Sequence, residues 1–130
     1  MRIYIAGGST ERLTVVRPMI ERVKAAGHTI THDWTQDPGY DLDRPLTKEE
    51  RRDTTERDVN GVDKADVFWL MVPAQKSEGA AFELGYAQAW AHAYGKDVIV
   101  SGARASANLF TALADRVFWN HEEALVWVLS

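Results

Sequence analysis

DVFWLMVPAQKSEGAAFELGYAQAW occupies residues 66–90. Residues 67–72 are an unbroken apolar run, which reads as a strand buried on both faces. Pro73 to Ser77 form a loop. From about Gly79 to Tyr94 the period becomes helical, and Ala80, Leu84, Ala87 and Ala91 fall on one face. Glu83 interrupts the edge of that face. A buried strand followed at once by a helix is the repeating unit of a parallel α/β sheet.

The same alternation continues in both directions. RIYIAGG (2–8) is a short β-forming run closed by two glycines. Leu13, Val16, Ile20 and Val23 then stand at helical spacing over residues 11–26. Pro18 kinks or delimits this helix and Gly27 ends it. HTITHDW (28–34) reads as a second strand. Residues 35–45, with three Asp, two Pro and one Gly, form the longest loop. Thr47 and Glu50 have capping-box spacing at the head of a mostly polar helix over 47–65. Downstream, DVIVSG (97–102) is another strand, 106–114 a short helix, RVFW (116–119) a fifth strand, and 121–129 a terminal amphipathic helix. The pattern predicts one domain over residues 1–130: a doubly wound, flavodoxin-like α/β fold with a parallel sheet of about five strands. Ligands of such folds bind beyond the carboxyl ends of the strands. This directs attention to Gly7–Arg12, Trp34–Tyr40, Pro73–Glu83 and Ser101–Asn108.

Composition narrows the function. The chain is 45% hydrophobic, enough for a core without staples. Its net charge of −4 argues against binding a nucleic acid polymer. It has no cysteine, which excludes disulfides, thiolate zinc sites and cysteine nucleophiles. No run of about 18 apolar residues marks a membrane span. The expectation is a soluble cytoplasmic protein. His28, His32, His92 and His121 show no metal-ligand spacing, so neither a metal nor another cofactor is expected.

Several residues at the strand ends carry chemistry. Glu83 lies near the start of its helix, where the helix dipole favours a carboxylate and partial burial opposes it. It is either a nucleophile at a cleft floor or a boundary residue that reaches solvent. Ser77 is an N-cap whose hydroxyl can also meet a phosphate, with Gly79 in the same turn. Tyr4 points away from Ile3 and Ile5 and is either core or a hydrogen-bond donor to a carboxylate. Gly7, Gly8 and Ser9 form a small-residue turn that lets backbone N–H groups approach an anion. Trp34 either stacks on a base or forms the rim of the core. Among Asp58, Asp63 and Asp66, spacing does not choose.

IYIAGG (3–8), RDVNGVDKADV (57–67) and SEGAAFELGYAQA (77–89) together resemble the nucleoside 2-deoxyribosyltransferase superfamily, which includes 2′-deoxynucleoside 5′-phosphate N-hydrolases. The likeness covers most of the chain in the same order. It implies an N-glycosidase acting on a nucleoside 5′-monophosphate, or a transferase that exchanges bases between nucleosides. A nucleotide-binding sensor without turnover is the alternative from another class. The resemblance implies that Glu83 is the nucleophile, that Tyr4 orients it, and that Asp58 handles the proton at the leaving base. It implies a phosphate contact for Ser77, where the transferases carry an acidic residue, and lets Arg12 stand in for the arginines of the first loop. It also implies a homodimer in which Asn108 or Ser106 reaches the neighbouring subunit's site.

Overall fold

A computed structural model describes the backbone of residues 1–130 and every side chain except those of His92 and Leu109. Five strands form one parallel sheet: β1 (Arg2–Ala6), β2 (Thr29–Ile30), β3 (Val67–Met71), β4 (Asp97–Ser101) and β5 (Arg116–Phe118). Their spatial order is β2-β1-β3-β4-β5. The chain leaves β1 for one side, makes β2, and returns to place β3 on the other side. The connections therefore diverge between β1 and β3, where a doubly wound sheet opens its crevice.

Four helices cover the sheet: α1 (Arg17–Ala25), α2 (Lys48–Lys64), α3 (Glu78–Tyr94) and α4 (His121–Leu129). α2 packs against α3 over one face. α1 and α4 are joined by the bidentate Arg22–Glu122 pair. The core holds Ile3, Tyr4 and Ile5 of β1, all of β3, and Val98 to Val100 of β4. Tyr4 stacks on Phe68, its register partner in β3, with ring centroids 5.9 Å apart. One buried polar chain threads this core. Trp69 Nε1 donates to Ser101 Oγ at 2.8 Å, and Ser101 Oγ lies 2.7 Å from His121 Nδ1.

The local sequence accounts for the helix ends. Thr47 and Glu50 form the expected capping box of α2. Ser77 Oγ accepts from Ala80 N at 3.2 Å and caps α3, and Gly95, at φ +64°, ends it in the left-handed region. The buried face of α3 is the predicted one, Ala80, Leu84, Ala87 and Ala91. At the far end of α2, Lys96 Nζ donates to the carbonyls of Val62, Asp63 and Ala65 at 2.6, 3.2 and 2.8 Å. These lie among the last carbonyls of the helix, where the ordinary α-helical donors run out, although Val62 O also accepts from Ala65 N at 3.2 Å.

Three expectations are corrected. The 28–34 strand is confined to Thr29–Ile30, because Asp33 caps a 3₁₀ turn at Trp34–Gln36 and bends the chain away. The 11–26 helix is not one α-helix. Residues 12–16 form a π-helical stretch, and the α-helical part opens at Arg17. Pro18 has no N–H to offer the α ladder, so it delimits α1. The 106–114 helix reduces to a 3₁₀ turn at Leu109–Thr111.

Candidate functional site

The residues that resemblance singles out for catalysis meet on the α2–α3 side of β1. Tyr4 comes from the middle of β1, Asp58 from α2 and Glu83 from the second turn of α3. Tyr4 is fully buried and Glu83 is 8% exposed. Two further residues join them. His32 follows β2, and its Nε2 lies 3.3 Å from Asp37 Oδ1 and 3.3 Å from Asp58 Oδ1. Asp63 and Asp66 lie apart from this group: Asp63 accepts from the Tyr86 hydroxyl and Asp66 pairs with Arg2. Of the three aspartates, Asp58 is the one that lies beside His32 in this cluster.

Long-range fits hold the cluster in place. Gly61, inside α2, faces both His32 and Tyr4. A Cβ there would stand 2.7 Å from His32 Cβ and 3.0 Å from the Tyr4 ring. Glycine within a helix costs about 0.5–1 kcal/mol relative to alanine, and here it permits the close approach. Thr31 Oγ1 donates to the Gly61 carbonyl at 2.7 Å, tying the end of β2 to the same turn. The long loop is fastened separately. Arg12 and Arg17 both donate to the Thr35 carbonyl, at 2.8 and 2.6 Å, and the Trp34 indole donates to Ile5 O at 2.8 Å. That fastening brings Asp37 to His32.

The electrostatics are unusual for a folded core. Burial pushes Glu83 up to about 8; Tyr4 and His32 oppose the rise, and Asp58 and Asp37 add to it. Burial raises the Tyr4 phenol well above its usual value, and Glu83 and Asp58 push it further. Asp58 holds the His32 imidazole above its ordinary range with help from Asp37, against burial and Arg57. Asp37 is raised, first by burial and then by Asp58. Among the described residues, four buried side-chain polar atoms have no hydrogen-bond partner: Tyr4 Oη, His32 Nε2, Asp58 Oδ1 and Glu83 Oε2. All four belong to this cluster. Buried polar groups in folded proteins are nearly always satisfied, so a concentration of unsatisfied ones marks a site built for something other than stability.

The expected binding residues divide between this cluster and its surroundings. Gly7 and Gly8 are buried at the end of β1. A Cβ at Gly7 would meet Val16 at 2.5 Å, and one at Gly8 would meet Pro73 at 2.7 Å, so close packing alone requires both glycines. Ser9 beside them is exposed. Arg12 is half-buried and lies over the Tyr40 ring, 4.2 Å from its centroid. Trp34 is 5% exposed and belongs to the core, the second of its two readings. Tyr40, at 41%, presents the accessible ring of this loop instead.

Ser77 and Asn108 share a second feature of the surface. They line a cavity of about 470 Å³ between the start of α3 and the segment after β4, together with Lys76, Ala81, Leu84 and Arg104. Tyr4, Asp58 and Glu83 are not among its lining residues. Asn108 Oδ1 accepts from Phe110 N at 2.8 Å. Gly79 is exposed and its Cβ position is open, so the backbone does not demand glycine there.

Sequence reasoning missed His32, Asp37, Tyr40, Lys76 and Arg104. The mid-helix Gly61 was the available signal, since such a glycine often marks a close approach. His32, Asp37 and Asp58 hold one potential ligand atom each within 4.8 Å of one another, and this is the group among the described residues with the donors for a divalent cation. Its members come from three segments, so no linear spacing reveals it. The side chain of His92 lies outside the described residues. No helix among the described residues is long and apolar enough to cross a membrane.

A family model described as "Nucleoside 2-deoxyribosyltransferase" matches residues 3–106. A search of curated proteins found no match. The match spans β1 to the segment after β4 and includes Tyr4, Asp58 and Glu83, and with it the chain belongs to the nucleoside 2-deoxyribosyltransferase family. The family is one of enzymes with nucleoside deoxyribosyltransferase or N-glycosidase-type activity, and its members bind small nucleoside substrates.

Proposed function

We propose that this member of the nucleoside 2-deoxyribosyltransferase family is an N-glycosidase that cleaves the base–sugar bond of a nucleoside 5′-monophosphate. The observation that carries the reading is the convergence of unsatisfied Tyr4 Oη, Asp58 Oδ1 and Glu83 Oε2 in one buried cluster. Departure of a base from a sugar builds positive charge at C1′. One carboxylate captures the sugar and an acid group protonates the leaving base. Glu83 is the nucleophile, Tyr4 orients it, and Asp58 is the acid. Gly7, Gly8, Ser9 and Arg12 form the nearby wall, where Tyr40 supplies a ring for stacking. Ser77 and Gly79 hold the phosphate end, with positive charge from Lys76 and Arg104 in the adjoining cavity. A chain without cysteine suits the cytoplasm, where this reading places it.

The working form is a homodimer. α3 carries Phe82, Tyr86, Trp90 and Tyr94 at four-residue intervals, and Phe82, Trp90 and Tyr94 are exposed. A second copy covering this stripe brings Asn108 toward the neighbouring site. Sedimentation at micromolar concentration checks the dimer, and a monomer there refutes it.

The decisive test is base release from ribo- and deoxyribonucleoside 5′-monophosphates and nucleosides, followed by chromatography. The wild type releases free base from at least one monophosphate and Glu83→Ala does not. Tight binding without release from any member would overturn the reading and leave a sensor. The family's own name favours a second reading, transfer of the sugar to another base. Exchange into an added free base, at a rate exceeding hydrolysis, identifies it.

A further inference from the structure

The four unpartnered atoms include two, His32 Nε2 and Asp58 Oδ1, that face one another. Their separation is 3.3 Å, and the distance from Nε2 to Asp37 Oδ1 is the same. Neither contact is an in-line hydrogen bond, because Nε2 remains without a partner by geometry. A single N–H placed evenly between two carboxylates is shared and not committed to either. From this arrangement we infer that His32 stores the proton which Asp58 hands to the departing base, with Asp37 as the fixed anchor behind it. The inference rests on the N-glycosidase reading and adds to it a positioning residue and a proton route.

The route balances. The reacting form carries Glu83 as the carboxylate, the minor form at neutral pH of a group that burial raises to about 8, with the proton to be spent held at His32 Nε2 beside Asp58 Oδ1. As the C1′–N bond breaks, its electron pair stays on the base nitrogen. The Nε2 proton of His32 passes to Asp58 Oδ1, and Asp58 then gives one proton to that nitrogen, so Asp58 ends with the protons it began with and His32 has lost one. Glu83 forms an ester to C1′. Water then attacks C1′, the ester electrons return to Glu83, and the released proton passes through Asp58 back to Nε2. The proton ends where it began.

The surroundings fit a reservoir. The charged and titratable groups around His32 are Asp37 from the long loop, Asp58 and Arg57 from α2, and Glu83 from α3, with Tyr4 of β1 and Tyr40 beside them. Asp58 and Asp37 against the Arg57 guanidinium favour the protonated imidazole. The His32 side chain is 20% exposed, but Nε2 itself is buried, so the proton it holds is shielded from solvent. Its backbone site is fixed by the Gly61 fit and the Thr31–Gly61 hydrogen bond.

The test compares two leaving groups. One is the nucleoside 5′-monophosphate that the wild type hydrolyses fastest. The other is a cationic N-methylated nucleotide, 7-methylguanine for a purine enzyme or 3-methylcytosine for a pyrimidine enzyme, whose base departs neutral without gaining a proton. His32→Gln lowers kcat/KM on the ordinary nucleotide by about 100-fold, the lower end of general acid catalysis, and on the cationic one by less than about threefold. Asp37→Asn gives the same pattern, smaller, and carries the test if His32→Gln does not fold. In the wild type, activity on the ordinary nucleotide alone falls as pH rises through the His32 pKa, above 6.5. Equal losses on both substrates would overturn the route and leave the glycosidase intact. So would activity abolished by EDTA and restored by a divalent metal, which would make the cluster a cation site. Wild-type protein that releases base from neither substrate overturns the underlying reading as well.

Discussion

Replacing Glu83 with Gln should make the protein more stable, by a margin that grows as pH rises from about 5 to 8. Burial raises Glu83 from its usual 4.5 to about 8. A carboxyl whose folded pKa lies above its unfolded value keeps its proton in the native state while the unfolded chain releases it. The wild type therefore loses stability as pH rises through this window, and the loss levels off above the folded pKa. One pH unit corresponds to about 1.4 kcal/mol. Between pH 4.5 and pH 7 the cost reaches roughly 3 kcal/mol, and Glu83 is buried deeply enough that solvent screening does not reduce it much. The Gln side chain has the same shape and carries no charge at any pH. Urea unfolding of both proteins at pH 5, 6, 7 and 8 should show the variant's advantage growing by about 1.4 kcal/mol per unit. At pH 7 the advantage amounts to about 10 °C in Tm for a domain of this size. A gap that stays flat from pH 5 to pH 8 would refute the claim that this carboxylate is held in an unfavourable place.

Tyr4→Phe removes a buried hydroxyl without an in-line partner, so its effect on stability should stay within about 1 kcal/mol. The phenol lowers the Glu83 pKa, so the rise of kcat/KM with pH should move to higher pH in this variant, and an unmoved profile would sever the two residues. Gly61→Ala puts a methyl 2.7 Å from His32 Cβ. It should cost about 1–3 kcal/mol in chemical denaturation and base release together, and unchanged activity would show that α2 can yield. Lys96→Met removes the ammonium donor from the carbonyls of Val62, Asp63 and Ala65, of which Val62 O keeps the Ala65 N–H. A loss of about 2–3 kcal/mol is expected in urea unfolding, and one below about 0.5 kcal/mol would show that water replaces the ammonium.

The sheet was legible because its strands announce themselves. β3 is a continuous apolar run, β4 holds Val98–Val100 between Asp97 and Ser101, and the α3 face of Ala80, Leu84, Ala87 and Ala91 has an unbroken helical period. Elements fixed by local chemistry came out as read, including the Thr47–Glu50 cap and the Ser77 cap. What failed depended on contacts distant in sequence. Two of the seven residues 28–34 pair as a strand, because Asp33 and Trp34 bend the chain toward Ile5. His32 looked unremarkable without a second histidine at ligand spacing, yet its partners Asp37 and Asp58 arrive from a loop and a helix. Periodicity reports which face of an element is buried. It does not report which polar residues several elements bring to one point.

The two borders of the sheet are its shortest strands, β2 with two residues and β5 with three, while the inner strands have five each. A border strand offers unpaired N–H and C=O groups on which another chain can template. The inner strands, Arg-Ile-Tyr-Ile-Ala and Val-Phe-Trp-Leu-Met among them, are the segments whose exposure would be most hazardous, and they are paired on both sides. The bend that cuts β2 short thus does two things. It turns His32 toward Asp58, and it leaves too little open backbone at that border to seed edge-to-edge aggregation.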